Sequence, residues 1–190
     1  MSRPLALRSA TSQQYTAVTA ARYPKSLFGQ SLQQIAQLIK SDIGLEVAFT
    51  EIGGWDTHAN QGNSRGQLAN RLKDFGDGLA ALYQDLSDQM DNIVIVTMTE
   101  FGRAMPQNGS GGTDHGHASC LFIGGGPVKG GKVYGRWPGL APEQLHEGRD
   151  LALTTDFRNV FSEVLTKHMM LRDIAPIFPK FSPAPMSFLM

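Results

Sequence analysis

The residues best suited to chemistry lie in two short segments, residues 53–58 and residues 112–117. Each segment brings aspartate and histidine close together, and three of the five histidines of the chain lie in them. Carboxylate oxygens and imidazole nitrogens are ligands that suit Zn²⁺, Mn²⁺ or a similar divalent ion. The two segments therefore predict a metal site, with one ion or two, whose ligands are Asp56, His58, Asp114, His115 and His117.

The first segment allows two interpretations. If the chain is extended there, Asp56 and His58 point to the same side, because side chains two residues apart share one face of an extended chain. In the alternative, Asp56 caps a turn and His58 is only exposed to solvent. Gly53, Gly54 and Trp55 favour the first interpretation, because they indicate a loop with a defined conformation.

Two charged residues follow the most apolar stretch of the chain, residues 92–99. Glu100 could be a further ligand or a general base. Arg103 could bind an anionic oxygen with its planar guanidinium group. In the alternative, Glu100 and Arg103 form an ion pair that closes the strand. Thr57, Thr113 and Ser119 are weaker candidates for a nucleophile.

The composition excludes several classes of protein. Hydrophobic residues make up 41% of the 190 residues, which is enough for a core and argues against disorder. Seventeen basic and seventeen acidic residues balance, so no overall positive field attracts nucleic acid. No stretch approaches the roughly 20 apolar residues that span a membrane, and residues 1–8 do not resemble a secretory signal. Cys120, the only cysteine, lies in an apolar run and is expected to be buried.

The order of the predicted elements indicates an α/β fold. Apolar residues at helical spacing predict helices over residues 31–40, 63–90 and 156–171, the last capped by Thr155 or Asp156. Apolar runs rich in β-branched residues predict strands over residues 45–52, 92–99 and 118–123. The run 92–99 is apolar on both faces, which is typical of a central parallel strand. One domain spans residues 1–190, and residues 176–190, with four prolines, form an extended tail.

Five motifs occur in order: Gly-Gly-Trp-Asp-Thr-His, Thr-Glu-Phe-Gly-Arg, Gly-Gly-Thr-Asp-His-Gly, Gly-Gly-Pro-Val-Lys-Gly-Gly and Thr-Asp-Phe-Arg. Together they resemble a large bacterial family of unknown function in the alkaline phosphatase and sulfatase superfamily. The resemblance implies a three-layer αβα sandwich around a mostly parallel sheet, with divalent ions at the strand ends. It implies that Asp56, His58, Asp114 and His115 are metal ligands. It also suggests a periplasmic location.

The chain departs from this family in length and resembles only its C-terminal half. The N-terminal half of the family supplies one metal-binding aspartate and the serine or threonine nucleophile. Without that nucleophile, the expected reaction is attack by metal-bound hydroxide on a small phosphate ester, preferably a diester or triester, or on a sulfate ester. A sheet without one neighbour also predicts a homodimer. The alternative is a non-catalytic binding or assembly domain that keeps the fold but has an incomplete site.

Overall fold

The computed structural model describes residues 15–18 and 20–190. The chain divides into two compact units: the first unit ends at Asp88, and the second unit covers Gln89–Met190. Within the described residues, no helix combines the length and the apolar character needed to cross a lipid bilayer.

Two helices form the core of the first unit. Helix α1, Leu27–Lys40, begins where the Ser26 side chain accepts a hydrogen bond from the backbone amide of Gly29, as expected of an N-cap. It confirms the predicted helix and begins four residues earlier. Helix α2, Gln67–Asp85, is shorter than predicted because the chain continues as a 3₁₀ helix over Ser87–Asn92. Buried apolar side chains lie on both helices: Phe28, Leu32, Ala36, Ala81 and Leu82.

A glycine lets the two helices approach each other closely. A Cβ atom placed on Gly78 of α2 would lie 2.8 Å from the ring of Phe28 and 3.0 Å from the side chain of Leu32. A methyl group at this position would therefore push α1 away. The small residue in the middle of α2 weakens the helix itself, by roughly 0.5–1 kcal/mol relative to alanine, but it permits this packing.

A buried carboxylate joins the residues before α1 to the helices. Asp85, whose side chain is fully buried, accepts hydrogen bonds from the hydroxyl groups of Tyr15 and Tyr23, the amide of Val18 and the ammonium group of Lys40. Burial alone would raise the pKa of Asp85, but these hydrogen bonds outweigh it and hold the pKa below its ordinary value. Asp85 is therefore ionised in the folded protein at neutral pH.

The second unit contains two small antiparallel sheets. Strand β1, Val94–Val96, pairs with β4, Ile123–Gly125, so that Val94 lies opposite Gly125 and Val96 opposite Ile123. Strand β2, Gly102–Arg103, pairs with β3, His115–Gly116. The core of this unit lies beside the first sheet, where Val160, Phe188 and Leu189 pack against partly buried side chains that include Val94, Val96 and Ile123.

The last helix of the second unit binds the tail of the chain. Helix α3, Phe157–Glu163, is capped by the Asp156 side chain, which accepts from the amide of Arg158 and confirms that predicted cap. A π-helical turn, Val164–His168, follows it. The buried carboxylate of Glu163 accepts hydrogen bonds from three amides of the tail, those of Met186, Ser187 and Leu189. The tail has neither helix nor ladder strand, and its end is anchored in the core.

The predicted three-layer αβα sandwich around a mostly parallel sheet is wrong. The described residues contain only two two-stranded sheets, and both are antiparallel. The apolar run over residues 92–99 predicts a central parallel strand, but only Val94–Val96 form a strand, and among the described residues it pairs antiparallel with Ile123–Gly125 on one side. The predicted strand over residues 45–52 is outside any ladder. An apolar run favours a strand, but it does not specify the partner or ensure that one is present.

Candidate functional site

The Asp56–His58 pair lies on an exposed loop of the first unit. His58 Nε2 is 3.0 Å from Asp56 Oδ1, and the two side chains are 47% and 55% exposed. The neighbouring Thr57 points the other way and is only 4% exposed. Asp56 and His58 thus lie together on the solvent side of the loop, although the Thr57 amide donates to the Trp55 carbonyl at 2.9 Å and the chain therefore turns tightly at Asp56.

Two inward side chains fix this loop. The indole N–H of Trp55 donates to the carbonyl of Ile52 at 2.6 Å, and its ring packs edge-on against Phe75 of α2. The Thr57 hydroxyl donates to the Gln61 side chain at 2.7 Å. Because this hydroxyl is buried and bonded within the loop, Thr57 is poorly placed to act as a nucleophile.

Arg71 of α2 lies against the same loop, and sequence reasoning missed it. A Cβ atom at Gly54, which has a positive φ of 85°, would lie 2.8 Å from Arg71 Nε. The guanidinium group therefore lies against the glycine backbone, two residues before Asp56. The absence of a side chain at Gly54 makes this approach feasible. The sequence signal for this contact was the position of Arg71 near the start of the helix that follows the loop.

In the second unit, the β2–β3 pair positions Arg103 opposite His115. The chain just after β3 comes so close to β2 that a Cβ atom at Gly102 would lie 2.0 Å from the Ala118 carbonyl oxygen, so glycine is required there. Arg103 Nη1 donates to the Thr113 carbonyl at 2.7 Å, and its guanidinium lies 4.8 Å from the centre of the Phe101 ring. The imidazole of His115 stacks on the same ring at 4.6 Å. Phe101 thus fixes both polar side chains.

The loop before His115 is held by Asn108. The Asn108 side-chain oxygen accepts from the amides of Ser110 and Gly112, and its NH₂ group donates to Asp114 Oδ1 at 2.9 Å. The Asp114 carbonyl oxygen accepts from the Ala104 amide at 2.9 Å, next to the β2–β3 pair. Both the backbone and the carboxylate of Asp114 are therefore oriented, and its side chain is exposed.

His117 contacts a histidine that lies outside the sequence motifs. Its ring stacks on that of His146, with 3.8 Å between the ring centres. Nearby, buried Asp150 binds Arg149 through both carboxylate oxygens at 2.8 Å. The Arg149 hydrogen bonds, with smaller contributions from His146 and His117, hold the pKa of Asp150 below its ordinary value. His146 is far from His117 in the sequence, so residue spacing gave no signal of this contact.

Two further predictions can be compared with the structure. Glu100 is exposed and forms no ion pair with any described residue, so the alternative Glu100–Arg103 pair does not form. Cys120 was expected to be buried and is exposed, because the predicted strand over residues 118–123 begins only at Ile123. The roles of Asp56, His58, Asp114, His115 and His117 as metal ligands, and of Glu100 and Arg103 in catalysis, stay predictions.

Comparison with known proteins gives one family. The model of a protein family of unknown function, DUF1501, matches residues 5–177, which is most of the chain. The chain belongs to this family. No curated protein and no solved structure matches it. The family assignment names no activity, and membership of the alkaline phosphatase and sulfatase superfamily stays a prediction.

Proposed function

We propose that this member of the DUF1501 family is a divalent-metal-dependent hydrolase of phosphate esters, with diesters and triesters favoured, or of sulfate esters. The observation on which the proposal rests is the outward-facing Asp56–His58 pair, with its carboxylate oxygen and imidazole nitrogen 3.0 Å apart. A polar pair exposed to water contributes little to stability, typically about 0–1 kcal/mol even when both groups are charged. A role in binding therefore accounts better than stability for two polar side chains on a loop whose other side chains are anchored.

The donor atoms of the pair fit such an ion. Two ligands about 2.0–2.1 Å from one tetrahedral ion are about 3.3 Å apart, close to the distance between the Asp56 and His58 atoms. One oxygen and one nitrogen donor suit Zn²⁺ or Mn²⁺ better than Ca²⁺ or Mg²⁺, which prefer oxygen alone. When bound, the ion would supply Lewis-acid activation of water and of the ester oxygen.

The residues of the second unit suit a substrate that becomes more negative during reaction. Arg103 is held by its hydrogen bond to the Thr113 carbonyl and by the ring of Phe101. A guanidinium group fixed before the reaction stabilises a developing oxyanion without further reorganisation. Glu100 is an exposed carboxylate three residues away in the sequence and is the candidate to accept a proton from water.

The first test measures metal and turnover on the same preparations. The purified chain is reconstituted with Zn²⁺ or Mn²⁺, its bound metal is measured by mass spectrometry, and hydrolysis of bis(4-nitrophenyl) phosphate, 4-nitrophenyl phosphate and 4-nitrophenyl sulfate is followed. We expect stoichiometric metal and turnover of the diester above that of the monoester. The double variant Asp56→Ala, His58→Ala should lose both. The matched control, Asp88→Ala with His168→Ala, removes the same residue types elsewhere and should keep both.

A second variant separates catalysis from metal binding. Arg103→Ala should keep its metal and lower kcat/KM by about 10²-fold, the scale of losing one oxyanion donor. Arg103→Lys should restore activity only in part, since lysine lacks the planar fork. A reconstituted chain without stoichiometric metal, or unchanged turnover in the Asp56, His58 double variant, would overturn the proposal.

An assembly domain is the second candidate function, and one observation favours it. Leu45, Val47 and Phe49 lie outside any ladder and are 37%, 67% and 82% accessible to solvent. Neighbouring apolar side chains that are this exposed mark a surface suited to binding. A chain that binds no metal and hydrolyses none of the three esters would support this candidate.

A further inference from the structure

Arg71, in the second turn of α2, lies against the exposed loop of residues 53–58, which we call the 53–58 loop. A Cβ atom at Gly54 would be 2.8 Å from Nε and Nη2 of Arg71 and 2.9 Å from Cζ, so the glycine lets the guanidinium group lie directly on the backbone. One turn further along α2, Phe75 packs edge-on against the ring of Trp55. Residues four apart share one face of a helix, so a single face of α2 supports the start of the 53–58 loop.

The charge of Arg71 has no partner within the described part of the chain. The residue is half-buried, and no described residue accepts a hydrogen bond from its guanidinium group or forms an ion pair with it. By contrast, Lys40 and Lys73 of the same two helices each bind a carboxylate. A cation that loses part of its hydration without a compensating acceptor is unfavourable. The position of Arg71 therefore favours an anionic ligand from solution.

Arg71 also lies close to the exposed Asp56–His58 pair. Gly54, against which the guanidinium group lies, precedes Asp56 by two residues, and two residues of extended chain span at most about 7 Å. Asp56 and His58 lie on the solvent side of the same loop, with 3.0 Å between Oδ1 and Nε2. An anion bound by Arg71 would therefore lie near the donor atoms of the proposed metal site.

We propose that Arg71 binds the negatively charged oxygens of the ester substrate. This inference rests on the proposed hydrolase function and narrows its substrate class to esters that carry a negative charge, which are the phosphate diester and the sulfate ester rather than the neutral triester. The planar guanidinium group can donate two parallel hydrogen bonds to phosphate or sulfate oxygens. Because the guanidinium group is already held against Gly54, little ordering remains to be done when the anion binds.

The task of Arg71 differs from the one assigned to Arg103. Arg103 is the candidate for stabilising charge that develops only during the reaction. Arg71 would bind charge that the substrate carries from the start. Interactions that are equally strong in the bound substrate and in the transition state change KM and leave kcat unchanged. We therefore expect Arg71 to act on KM, and only for charged substrates.

The charge of the substrate provides the first test. Arg71→Met keeps a long, unbranched side chain and removes the charge. It should raise KM for bis(4-nitrophenyl) phosphate, an anionic diester, at least about tenfold, and leave kcat/KM for the neutral triester diethyl 4-nitrophenyl phosphate within about twofold of the wild-type value. Arg71→Lys should recover part of the loss, because lysine keeps the charge without the planar fork.

Titration calorimetry with inorganic phosphate tests the same contact without turnover. The metal-reconstituted wild-type chain should bind phosphate, and Arg71→Met should bind it at least about tenfold more weakly while it retains its metal. The matched control is Arg65→Met, which removes an exposed arginine just before α2. This control should leave the phosphate affinity unchanged, and both variants should keep the wild-type circular dichroism spectrum.

These experiments separate binding of an anion from support of the loop. If Arg71 only supports the 53–58 loop, Arg71→Met will slow hydrolysis of the diester and of the triester by the same factor, and the proposal is overturned. A wild-type chain that binds no phosphate, or binds it no better than Arg71→Met, would also overturn it. Failure of the hydrolase proposal gives a different result: neither ester is hydrolysed, yet phosphate still binds through Arg71.

Discussion

Asp85 in the first unit and Glu163 in the second unit are buried carboxylates with the same structural task and different partners. Each ends a helix and binds a stretch of chain that has no regular structure. Asp85 is bonded mainly by side chains, those of Tyr15, Tyr23 and Lys40. Glu163 is bonded mainly by backbone amides of residues 186–189, and Lys167 is its charged partner.

This difference determines which substitutions each unit tolerates. Any residue except proline supplies a backbone amide, so the partners of Glu163 survive most changes in the tail side chains. The partners of Asp85 depend on particular hydroxyl and ammonium groups at distant positions. The first unit should therefore be sensitive at several positions and the second at one, the carboxylate itself.

The largest effect should come from Asp85→Asn. The amide keeps the size of the side chain but offers one acceptor oxygen and places an NH₂ group against groups that themselves donate. Removing one partner of a buried ion pair typically costs about 3–5 kcal/mol, because the other charge loses its compensation. Urea denaturation followed by circular dichroism measures the loss, and hydrogen exchange should show faster exchange in Leu27–Lys40 and Gln67–Asp85.

The neighbouring exposed carboxylate, Asp88→Asn, is the matched control for this variant. It should leave both the unfolding midpoint and the exchange rates of the two helices close to those of the wild-type chain. If Asp85→Asn matched this control, the idea that Asp85 holds the residues before α1 would be untenable.

A smaller effect is expected from Glu163→Gln. Glutamine retains one acceptor oxygen, so part of the bonding to the tail amides persists while the charge is lost. Hydrogen bonds to a charged group contribute about 1.5–3 kcal/mol each, and a loss of roughly 2 kcal/mol follows for the second unit. Exchange of the Met186, Ser187 and Leu189 amides should become faster, which mass spectrometry of the tail peptides measures.

The pH dependence provides the control for Glu163→Gln. Burial would raise the pKa of Glu163, but the hydrogen bonds from Leu189, Ser187 and Lys167 bring it below its ordinary value of 4.5. The stabilisation is therefore complete above pH 4.5 and is lost as the pH falls through the lower pKa of the folded state. Protection of the tail amides should show this acid transition in the wild-type chain and lack it in Glu163→Gln; a variant that kept it would exclude Glu163 as its source.

The smallest loss of stability is expected for Lys167→Met, and it should be smaller than the loss for Lys40→Met. Lys167→Met should cost about 1 kcal/mol at most, because Lys167 is 46% exposed and the Glu163 carboxylate keeps the backbone amides of Met186, Ser187 and Leu189 as donors. Lys40→Met should cost several times more, because Lys40 is only 27% exposed and the one backbone amide among the described residues that donates to Asp85 is that of Val18. Chemical denaturation of the two variants side by side measures the ratio. Equal losses would mean that the difference between the two carboxylates does not affect stability.

The helices could be predicted from the sequence because their signals are local. The apolar spacing located α1 and α2, and Asp156 marked the start of α3. The start of α1 was predicted four residues too late, because the structure shows that Ser26 is the cap. The end of α2 was missed because residues 87–92 keep a helical turn but change to 3₁₀ geometry.

Strand pairing could not be predicted, because it depends on contacts between distant residues. Residues 94–96 were correctly assigned to a strand, but their antiparallel partner, Ile123–Gly125, was not identified. The contact between Asp56 and His58 could be expected because the two residues are only two positions apart in the sequence. The contact of His117 with His146 was not, since a long, irregular segment separates them. Local geometry was predictable, and tertiary contacts were not.

The burial of Phe188 and Leu189 has a consequence for the order in which the chain folds during synthesis. Val94 and Val160 leave the ribosome well before these two residues, so the apolar surface that they will share stays uncovered while the intervening segment is made. Domains emerging from a ribosome are exposed to aggregation for as long as such surface is open. The core of the second unit therefore closes late, and a chaperone that binds apolar segments would have its longest access there.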